Sequence, residues 1–130
     1  MRKGWLELNQ KQGEDRFRLG RGAILRQSFG MAVKLTGHQI EVVLTTLEGW
    51  TQDAGRIKKE YKFSDFTLSA MFITGANLEA EKMNHHPEIF HSYTTVKIEM
   101  TTHDVGGISE LDLRLAKRLD ARANPLLGKD

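Results

Sequence analysis

The chain has 130 residues, a formal net charge of +2 and 39% hydrophobic residues, which suits a single domain with a core of its own. It has no cysteine, so disulfide bonds, thiolate catalysis and sulfur metal ligands are excluded. No apolar run approaches the ~18 residues of a membrane span, and a cytoplasmic location is expected. Residues 1–30 hold seven Lys or Arg against three Asp or Glu, whereas the rest is nearly neutral. Nucleic acid is therefore an unlikely partner.

The first part of the chain differs from the rest, and we expect residues 1–34 to be an extension before a domain at residues 35–130. Residues 5–8 and 16–19 alternate weakly between apolar and polar side chains, which allows a short hairpin. The Gly-Arg-Gly at 20–22 resembles the start of a dinucleotide-binding turn. Because the third glycine and a preceding strand are missing, it is interpreted as a loop. An Arg-rich presequence is the alternative, although the acidic residues of the extension count against it.

From residue 36 onward the hydrophobic pattern becomes regular. Thr36 is of a residue type that caps helices, and the apolar positions after it predict a helix to about Leu47, which Gly49 ends. Residues 50–52 and 57–63 have the composition of two strands, joined by the turn-forming sequence Asp-Ala-Gly.

The second of these strands alternates by type of side chain. Ile57, Tyr61 and Phe63 fall on one face, which we expect to be buried. The lysines at positions 58, 59 and 62 are interpreted as a solvated strand face. Tyr93, further along the chain, is expected to be a core aromatic residue like Tyr61.

A longer helix is expected from Ser64 or Asp65 to about His85, because the residue before Pro87 is pushed out of the helical region. Its apolar side chains recur at helical spacing and should pack on the sheet. These side chains are Leu68, Met71, Phe72, Ala76 and Met83.

A strand region and a further helix follow. Residues 93–101 alternate, with the even-numbered apolar side chains facing the core, and His103 continues the opposite series at the strand end. After a Gly-Gly loop, a helix should begin near Ser109 and run to about Ala123, before Pro125. The order of the elements predicts an α+β fold with helices on one face of an antiparallel sheet.

Three of the five histidines, His85, His86 and His103, fall in one short stretch. Imidazole has an ordinary pKa of about 6.5, so such a cluster indicates either proton transfer or a metal. Zinc is the less favoured alternative, because neighbouring histidines on a helix point about 100° apart and helical zinc pairs use i, i+4 spacing. Two imidazoles that face each other across a site would supply a general acid and a general base without a metal.

Structural roles are the alternative for these residues. A single histidine is commonly a surface side chain or a donor that caps a helix. Asp112 occupies the fourth place of a Ser-x-x-Asp capping pattern, and Glu81 could simply pair with exposed lysines. The spacing alone leaves both interpretations open.

Three segments carry a more specific signal: EKMNHHP at residues 81–87, YTTVKIEMTTH at residues 93–103 and GISELD at residues 107–112. In order and spacing they closely resemble the pterin-4a-carbinolamine dehydratase family. Two upstream segments, LEGW at residues 47–50 and YKFSDF at residues 61–66, are similar to the same family. The resemblance covers about residues 36–123.

The resemblance implies a four-stranded antiparallel sheet with helices packed on one face, in α-β-β-α-β-β-α order, assembled into homodimers or homotetramers. It implies a hydro-lyase that converts 4a-hydroxytetrahydropterin, such as 4a-hydroxytetrahydrobiopterin, to quinonoid dihydropterin and water. No metal or cofactor is implied. The reaction would regenerate the pterin that aromatic amino acid hydroxylases consume, as part of tetrahydrobiopterin recycling.

The same resemblance implies site residues. The catalytic histidines would be His85, His86 and His103. Within this trio, our own interpretation makes His85 and His103 the acid–base pair and lets His86 hold the pterin. The supporting substrate-binding residues would be Glu81, Asn84, Ile89 and Asp112. Relatives often carry Trp in place of Ile89 and Asp in place of Asn84, so the pterin would meet an aliphatic wall and one charge fewer.

The alternative function is a non-catalytic module that binds a pterin or another protein. Animal members of the family also bind a homeodomain transcription factor, so the resemblance implies that the scaffold can act like a transcriptional coactivator. The basic residues 1–30 would be a candidate contact for such a partner.

Overall fold

The computed structural model describes residues 32–129. Within them the elements are α1 (Gly37–Leu44), β1 (Thr51–Asp53), β2 (Arg56–Lys62), α2 (Phe66–Met83), β3 (Glu88–Ser92), β4 (Thr95–Met100), a 3-10 turn (His103–Val105) and α3 (Glu110–Leu126). The predicted α+β class and its α-β-β-α-β-β-α order are confirmed. The hairpin expected at residues 5–19 and the loop at 20–22 lie outside the described residues. The division of the chain at residue 35 stays a prediction.

The four strands form one antiparallel sheet in the order β1-β2-β4-β3. In the central pair, Ile57 lies opposite Met100 and Tyr61 opposite Val96, and all four side chains are buried. They face the helices, because the alternation of a strand sends every second side chain to the same side. The other face is charged; there, for example, the Lys58 ammonium lies 3.2 Å from the Glu99 carboxylate.

Helix α1 begins as expected and ends early. Thr36 and Gln39 form a capping box at its start. The last helical residue is Leu44, not the expected Leu47. The hydroxyls of Thr45 and Thr46 donate to backbone carbonyls of the last turn at 2.6 and 2.7 Å, which favours a turn over further helix. Leu47 is nevertheless buried, because the turn brings it back to the core.

Helix α2 begins after Asp65, whose carboxylate accepts the amide hydrogen of Leu68. The prediction that Met71 packs on the sheet is wrong, because its side chain is 53% exposed. The helix buries a broader and more polar stripe than its apolar residues suggest. The buried residues are Ser69, Phe72, Gly75, Ala76, Glu79 and Ala80.

The buried stripe of α2 is broader than expected because α2 packs on α3 as well as on the sheet. A side chain at Gly75 would place its Cβ 3.1 Å from the Arg122 side chain, so glycine permits the close approach of the two helices. Glu79, from the same face, accepts hydrogen bonds from Arg118 and Arg122 of α3. Arginine pairing thus replaces apolar packing along part of the contact between the two helices.

The hairpin between β3 and β4 corrects two expectations. The strand expected from residue 93 begins at Thr95, and Tyr93 is 71% exposed instead of buried. Tyr93 has a φ of 51°, a left-handed conformation that is unusual for a tyrosine. Its carbonyl accepts hydrogen bonds from Ser69 and His91, each at 2.8 Å, and these contacts hold the turn.

Helix α3 begins with the expected capping box of Ser109 and Asp112. It ends at Leu126, not at the expected Ala123, because Pro125 lies in its last turn. A proline there removes one backbone hydrogen bond of the helix.

Lys59 is not part of a solvated face as expected, since its side chain is 16% exposed. It shares the helix-facing side of β2 with Tyr61, and its ammonium lies 2.9 Å from Asp120 of α3. It also donates to the Glu48 carbonyl at 2.8 Å. A lysine on a core-facing position of a strand thus finds its partner on the helix above.

Candidate functional site

The end of α2 fixes where the histidines point. Asn84 caps the helix in the left-handed region, with φ 48° and ψ 42°. Its amide donates to Glu81 at 3.1 Å, and the amide of His85 donates back to Ala80 at 3.0 Å. This pair of bonds is the usual arrangement at a helix end that carries a left-handed residue. Asn84 therefore turns the chain so that His85 points into the protein while the neighbouring His86 stays at the surface.

His85 forms a buried pair with Asp112. Its Nε2 atom lies 2.6 Å from Oδ1 of Asp112. The imidazole is 10% exposed and the carboxylate is fully buried. The contact joins the end of α2 to the first turn of α3, two points 27 positions apart in the sequence.

The other oxygen of Asp112 accepts two hydrogen bonds. Oδ2 accepts the hydroxyl hydrogen of Thr102 at 2.7 Å and the amide hydrogen of Ser109 at 3.0 Å. Oδ2 thus acts as an acceptor at both of its contacts. An ionised carboxylate can only accept, so Nε2 of His85 then carries the hydrogen that it shares with Oδ1, which fixes the tautomer of the ring.

The second ring nitrogen of His85 differs from the first. Among residues 32–129, Nδ1 of His85 has no hydrogen-bond partner. An imidazole held at one nitrogen and open at the other can exchange a proton with a ligand at the open atom.

His86 has a different environment. Its Nε2 lies 3.0 Å from the Glu81 carboxylate, and both side chains are exposed, at 58% and 80%. The pairing expected for Glu81 is therefore with a histidine and not with a lysine. A solvated pair of this kind adds little to stability. It is available to contact a ligand.

His103 lies on the 3-10 turn that follows β4, and it is exposed. It makes no hydrogen bond to the other predicted site residues within the described part of the chain. It is, however, the neighbour of Thr102, whose hydroxyl contacts Asp112. The structure thus brings together His85 with Asp112 and His86 with Glu81, and His103 follows Thr102, a partner of Asp112, in the sequence.

The remaining two predicted residues have clear structural positions. The Asn84 side chain is exposed, and its evident role is the left-handed helix end. Ile89 lies on β3 opposite Ile98 and packs, half-buried, against the core. An aliphatic wall at Ile89 is compatible with this position.

Sequence reasoning missed Thr102 and Ser109 as parts of this site. Both are buried, and their hydroxyl oxygens lie 2.7 Å apart. A signal for Thr102 was present, because it continues the inward-facing series of Val96, Ile98 and Met100 on β4. A hydroxyl at the end of an apolar series needs a buried partner, and Asp112 is that partner.

No group of three or more His, Asp or Glu side chains in residues 32–129 is placed to hold a metal ion. In the same part of the chain, two shallow depressions of about 460 and 400 Å³ lie on and beside the sheet, and no histidine lines either of them. No helix among the described residues is long and apolar enough to cross a membrane. The histidines at the end of α2 are therefore the strongest candidate site.

Fold and site together define a class of protein: an α+β domain with a carboxylate-anchored histidine at a helix end. The family described as pterin 4 alpha carbinolamine dehydratase matches residues 33–122 of the chain. A protein from Solibacter usitatus (strain Ellin6076) that carries the name of a pterin-4-alpha-carbinolamine dehydratase is 46% identical over 93 residues, which cover 72% of this chain and 98% of that protein. One from Dinoroseobacter shibae (strain DSM 16493 / NCIMB 14021 / DFL 12) with the same name is 53% identical over 74 residues, covering 55% and 76% of the two chains.

A solved structure agrees with these relatives. The crystal structure of a transcriptional coactivator/pterin dehydratase from Brucella melitensis superposes with a TM-score of 0.68 and 36% identity, covering 69% of this chain and 98% of that one. The chain belongs to the pterin 4 alpha carbinolamine dehydratase family. The resemblance seen in the sequence is thus confirmed, together with the enzyme class it implied, a carbon–oxygen lyase.

Proposed function

We propose that this enzyme dehydrates 4a-hydroxytetrahydropterin to quinonoid dihydropterin by histidine acid–base catalysis, in tetrahydrobiopterin recycling. The observation that carries the proposal is the buried bond between Nε2 of His85 and Asp112 at 2.6 Å, while Nδ1 has no partner within residues 32–129. The pterin substrate is inferred from the relatives, whose names specify pterin-4-alpha-carbinolamine dehydratases.

The reaction needs two proton transfers. The bond between C4a and the hydroxyl oxygen breaks, and the departing hydroxyl takes a proton from a general acid to leave as water. A general base removes a proton from a ring nitrogen, whose electron pair then forms the new carbon–nitrogen double bond. Atoms and charge balance without a redox partner, and positioned acid–base groups typically supply ~10²–10⁴-fold.

The histidines divide these tasks by position. His85 exchanges its proton at Nδ1, while Asp112 holds Nε2 and stabilises the positive charge that forms on the ring during transfer. His103, from the turn after β4, is the opposite member of the pair. His86, oriented by Glu81, binds the pterin, and Ile89 provides the aliphatic wall. Asn84 contributes by setting the backbone of both neighbouring histidines.

The test is the absorbance decay of freshly generated 4a-hydroxytetrahydropterin, with the spontaneous dehydration subtracted. We expect wild-type protein to accelerate the decay, and His85→Ala and His103→Ala to lose ~10²–10⁴-fold of the acceleration. His38→Ala is the matched control, because this exposed histidine of α1 belongs to neither pair. A wild-type rate equal to the background would reject the dehydratase proposal for this substrate.

We also propose that the protein is a homodimer or homotetramer that assembles through the outer face of α2. Met71 and Leu78, seven residues apart on that face, are 53% and 52% exposed. Thr74 lies between them and completes a seam of the kind by which helices pair. Light scattering after gel filtration should give a multiple of the chain mass for wild type. Leu78→Glu should lower it, whereas Val42→Glu, at an equally exposed valine of α1, should not.

A second candidate function is protein interaction in the manner of a transcriptional coactivator. The favouring observation is the similarity to the Brucella melitensis protein, whose name as a transcriptional coactivator/pterin dehydratase combines both roles. If wild-type protein oligomerises but does not accelerate the dehydration, this candidate becomes the leading one. A cytoplasmic location and independence from metals and cofactors stay predictions.

A further inference from the structure

Thr102 has a position that its side chain type does not explain. The side chains before it in the same series, Val96, Ile98 and Met100, are buried and apolar. Thr102 is 4% exposed, and valine would fill the same volume without a polar atom to satisfy. The hydroxyl must therefore have a use that offsets the cost of burying it.

That use is visible in a directed chain of hydrogen bonds. The Thr102 hydroxyl donates its single hydrogen to Oδ2 of Asp112 at 2.7 Å. Its oxygen therefore accepts at the 2.7 Å contact with the Ser109 hydroxyl. Ser109 in turn accepts the amide hydrogen of Leu111 at 3.2 Å. Each of these hydrogen bonds has one fixed donor and one fixed acceptor. Together they hold the Asp112 carboxylate in one orientation and, through Oδ1, they hold the ring of His85.

The backbone of Thr102 has a second role. Its amide donates to the Gly107 carbonyl at 2.8 Å, and its own carbonyl accepts the amide of Val105 at 3.2 Å. These bonds close the short loop that carries His103. The backbone of Thr102 thus holds the loop that carries His103, and its side chain holds Asp112, the partner of His85.

We propose that Thr102 is a positioning residue that sets His85 and His103 relative to each other, with Ser109 orienting its hydroxyl. The role rests on the proposed dehydratase function, because it concerns the two histidines that exchange protons. Thr102 itself is too buried to contact the pterin. It acts on the reaction through Asp112 and through the loop.

The kinetic test replaces the hydroxyl and keeps the volume. Thr102→Val should lower kcat by about tenfold, the effect of one lost hydrogen bond to a carboxylate, and leave KM unchanged. Thr102→Ser keeps the hydroxyl and should restore most of kcat. Thr101→Val is the matched control, because the neighbouring threonine faces the other way and donates to the Gly55 carbonyl at 2.9 Å. It loses a threonine hydrogen bond that has no link to Asp112.

The second readout does not depend on activity. Nitrogen-15 spectra of the histidine rings should show His85 with its hydrogen on Nε2 in wild type, and Thr102→Val should add the other tautomer or broaden the signals. The signals of His86 and His91 should not change. Full kcat together with an unchanged His85 tautomer in Thr102→Val would overturn the proposal.

The two proposals fail in different ways. If wild-type protein has no dehydratase activity, the proposed function fails, and the ring spectra alone decide whether Thr102 positions His85. If Thr102→Val does not fold, Ser109→Ala removes the bond that orients the hydroxyl and should shift the His85 signals in the same direction. Unchanged signals in that variant would count against the chain of hydrogen bonds.

Discussion

Helix α3 carries two carboxylates that face the sheet eight residues apart, and they have different partners. Asp112 accepts hydrogen bonds from His85, Thr102 and Ser109. Asp120 accepts from Trp50 at 3.1 Å, from Lys59 at 2.9 Å and from Tyr61 at 2.5 Å. Each carboxylate accepts hydrogen bonds from three donor groups. Counted by hydrogen bonds, the two sites are equivalent.

The two sites differ in whether a donor group of the carboxylate can also exchange a proton with a ligand. Burial, followed by the hydrogen bond to Asp120, raises the pKa of Tyr61, so its hydroxyl keeps its proton. The Trp50 indole is a donor only, and the Lys59 ammonium is engaged by Asp120 and by the Glu48 carbonyl. The side chains that donate to Asp120 are thus an indole, an ammonium and a phenol, and none of them is an imidazole. Nδ1 of His85 has no hydrogen-bond partner among residues 32–129, and this atom separates a candidate catalytic site from a structural one.

The largest expected effect comes from a substitution at Asp112. Asp112→Asn should lower kcat for the dehydration by ~10²–10⁴-fold, because an amide at this position no longer fixes the His85 tautomer. The measurement is the decay of 4a-hydroxytetrahydropterin at equal concentrations of folded protein. A kcat within about twofold of wild type would show that the pair of Asp112 and His85 is structural, as at Asp120.

The next largest effect comes from a substitution at Asp120. Asp120→Asn should lower the free energy of unfolding by about 2–3 kcal/mol, because it leaves the Lys59 ammonium without its charged partner in a largely buried place. Urea unfolding measures the loss, and kcat of the folded variant should stay unchanged. Glu60→Gln is the control, since its exposed pair with Lys97 spans 4.0 Å and adds almost nothing. A loss of activity without a loss of stability would contradict the assignment.

A smaller effect concerns the helix end that aims His85. Asn84→Ala should cost about 1 kcal/mol of stability, because alanine is strained at the φ of 48°. Asn84→Gly relieves the strain and should be close to neutral in the same urea titration. Equal stability of the alanine and asparagine proteins would mean that the left-handed conformation is not maintained there.

The smallest effect comes from a third carboxylate, Glu79. Its burial opposes the charged form, but hydrogen bonds from Arg122 and Arg118 and the charge of Lys82 outweigh this, and the pKa of Glu79 is lowered from its ordinary value of 4.5. A lowered pKa in the folded state adds stability above that ordinary value. The contribution is lost as the pH falls through the folded pKa.

Stability curves between pH 3 and pH 6 check this sign. Wild type should lose stability at the acidic end of the range, and Glu79→Gln, which cannot ionise, should lose less over the same interval. The His38→Ala protein serves as a control, because it removes an exposed side chain that does not contact Glu79. An identical acid slope in wild type and Glu79→Gln would contradict the lowered pKa.

Much of the fold could be predicted because the strongest signals are local. The caps at Thr36 and Ser109 were predicted correctly and Asp65 was one of two candidates, since a cap needs only a side chain three residues from its partner. The inward alternation of β2 was equally plain. The errors fall where a distant contact decides: Lys59 goes inward because Asp120 lies above it, and Tyr93 turns outward because Ser69 and His91 hold its carbonyl.

The candidate site shows the same limit. The histidines at positions 85, 86 and 103 stand out by composition and by family resemblance. Their environments could not be predicted, because the burial of His85 depends on a partner 27 residues away. The capping pattern at Asp112 was recognised, but one of its oxygens serves the helix cap while the other serves His85. A sequence pattern identifies the first role and says nothing of the second.

The most direct test of the acid–base pair is single-turnover dehydration of 4a-hydroxytetrahydropterin by excess wild-type protein, His85→Ala, His103→Ala and the double variant. If the two histidines act as one unit, the double variant should be about as slow as the slower single variant. Rates in which the two losses multiply would show independent contributions. That result would contradict the account of a coupled pair held by Asp112 and Thr102.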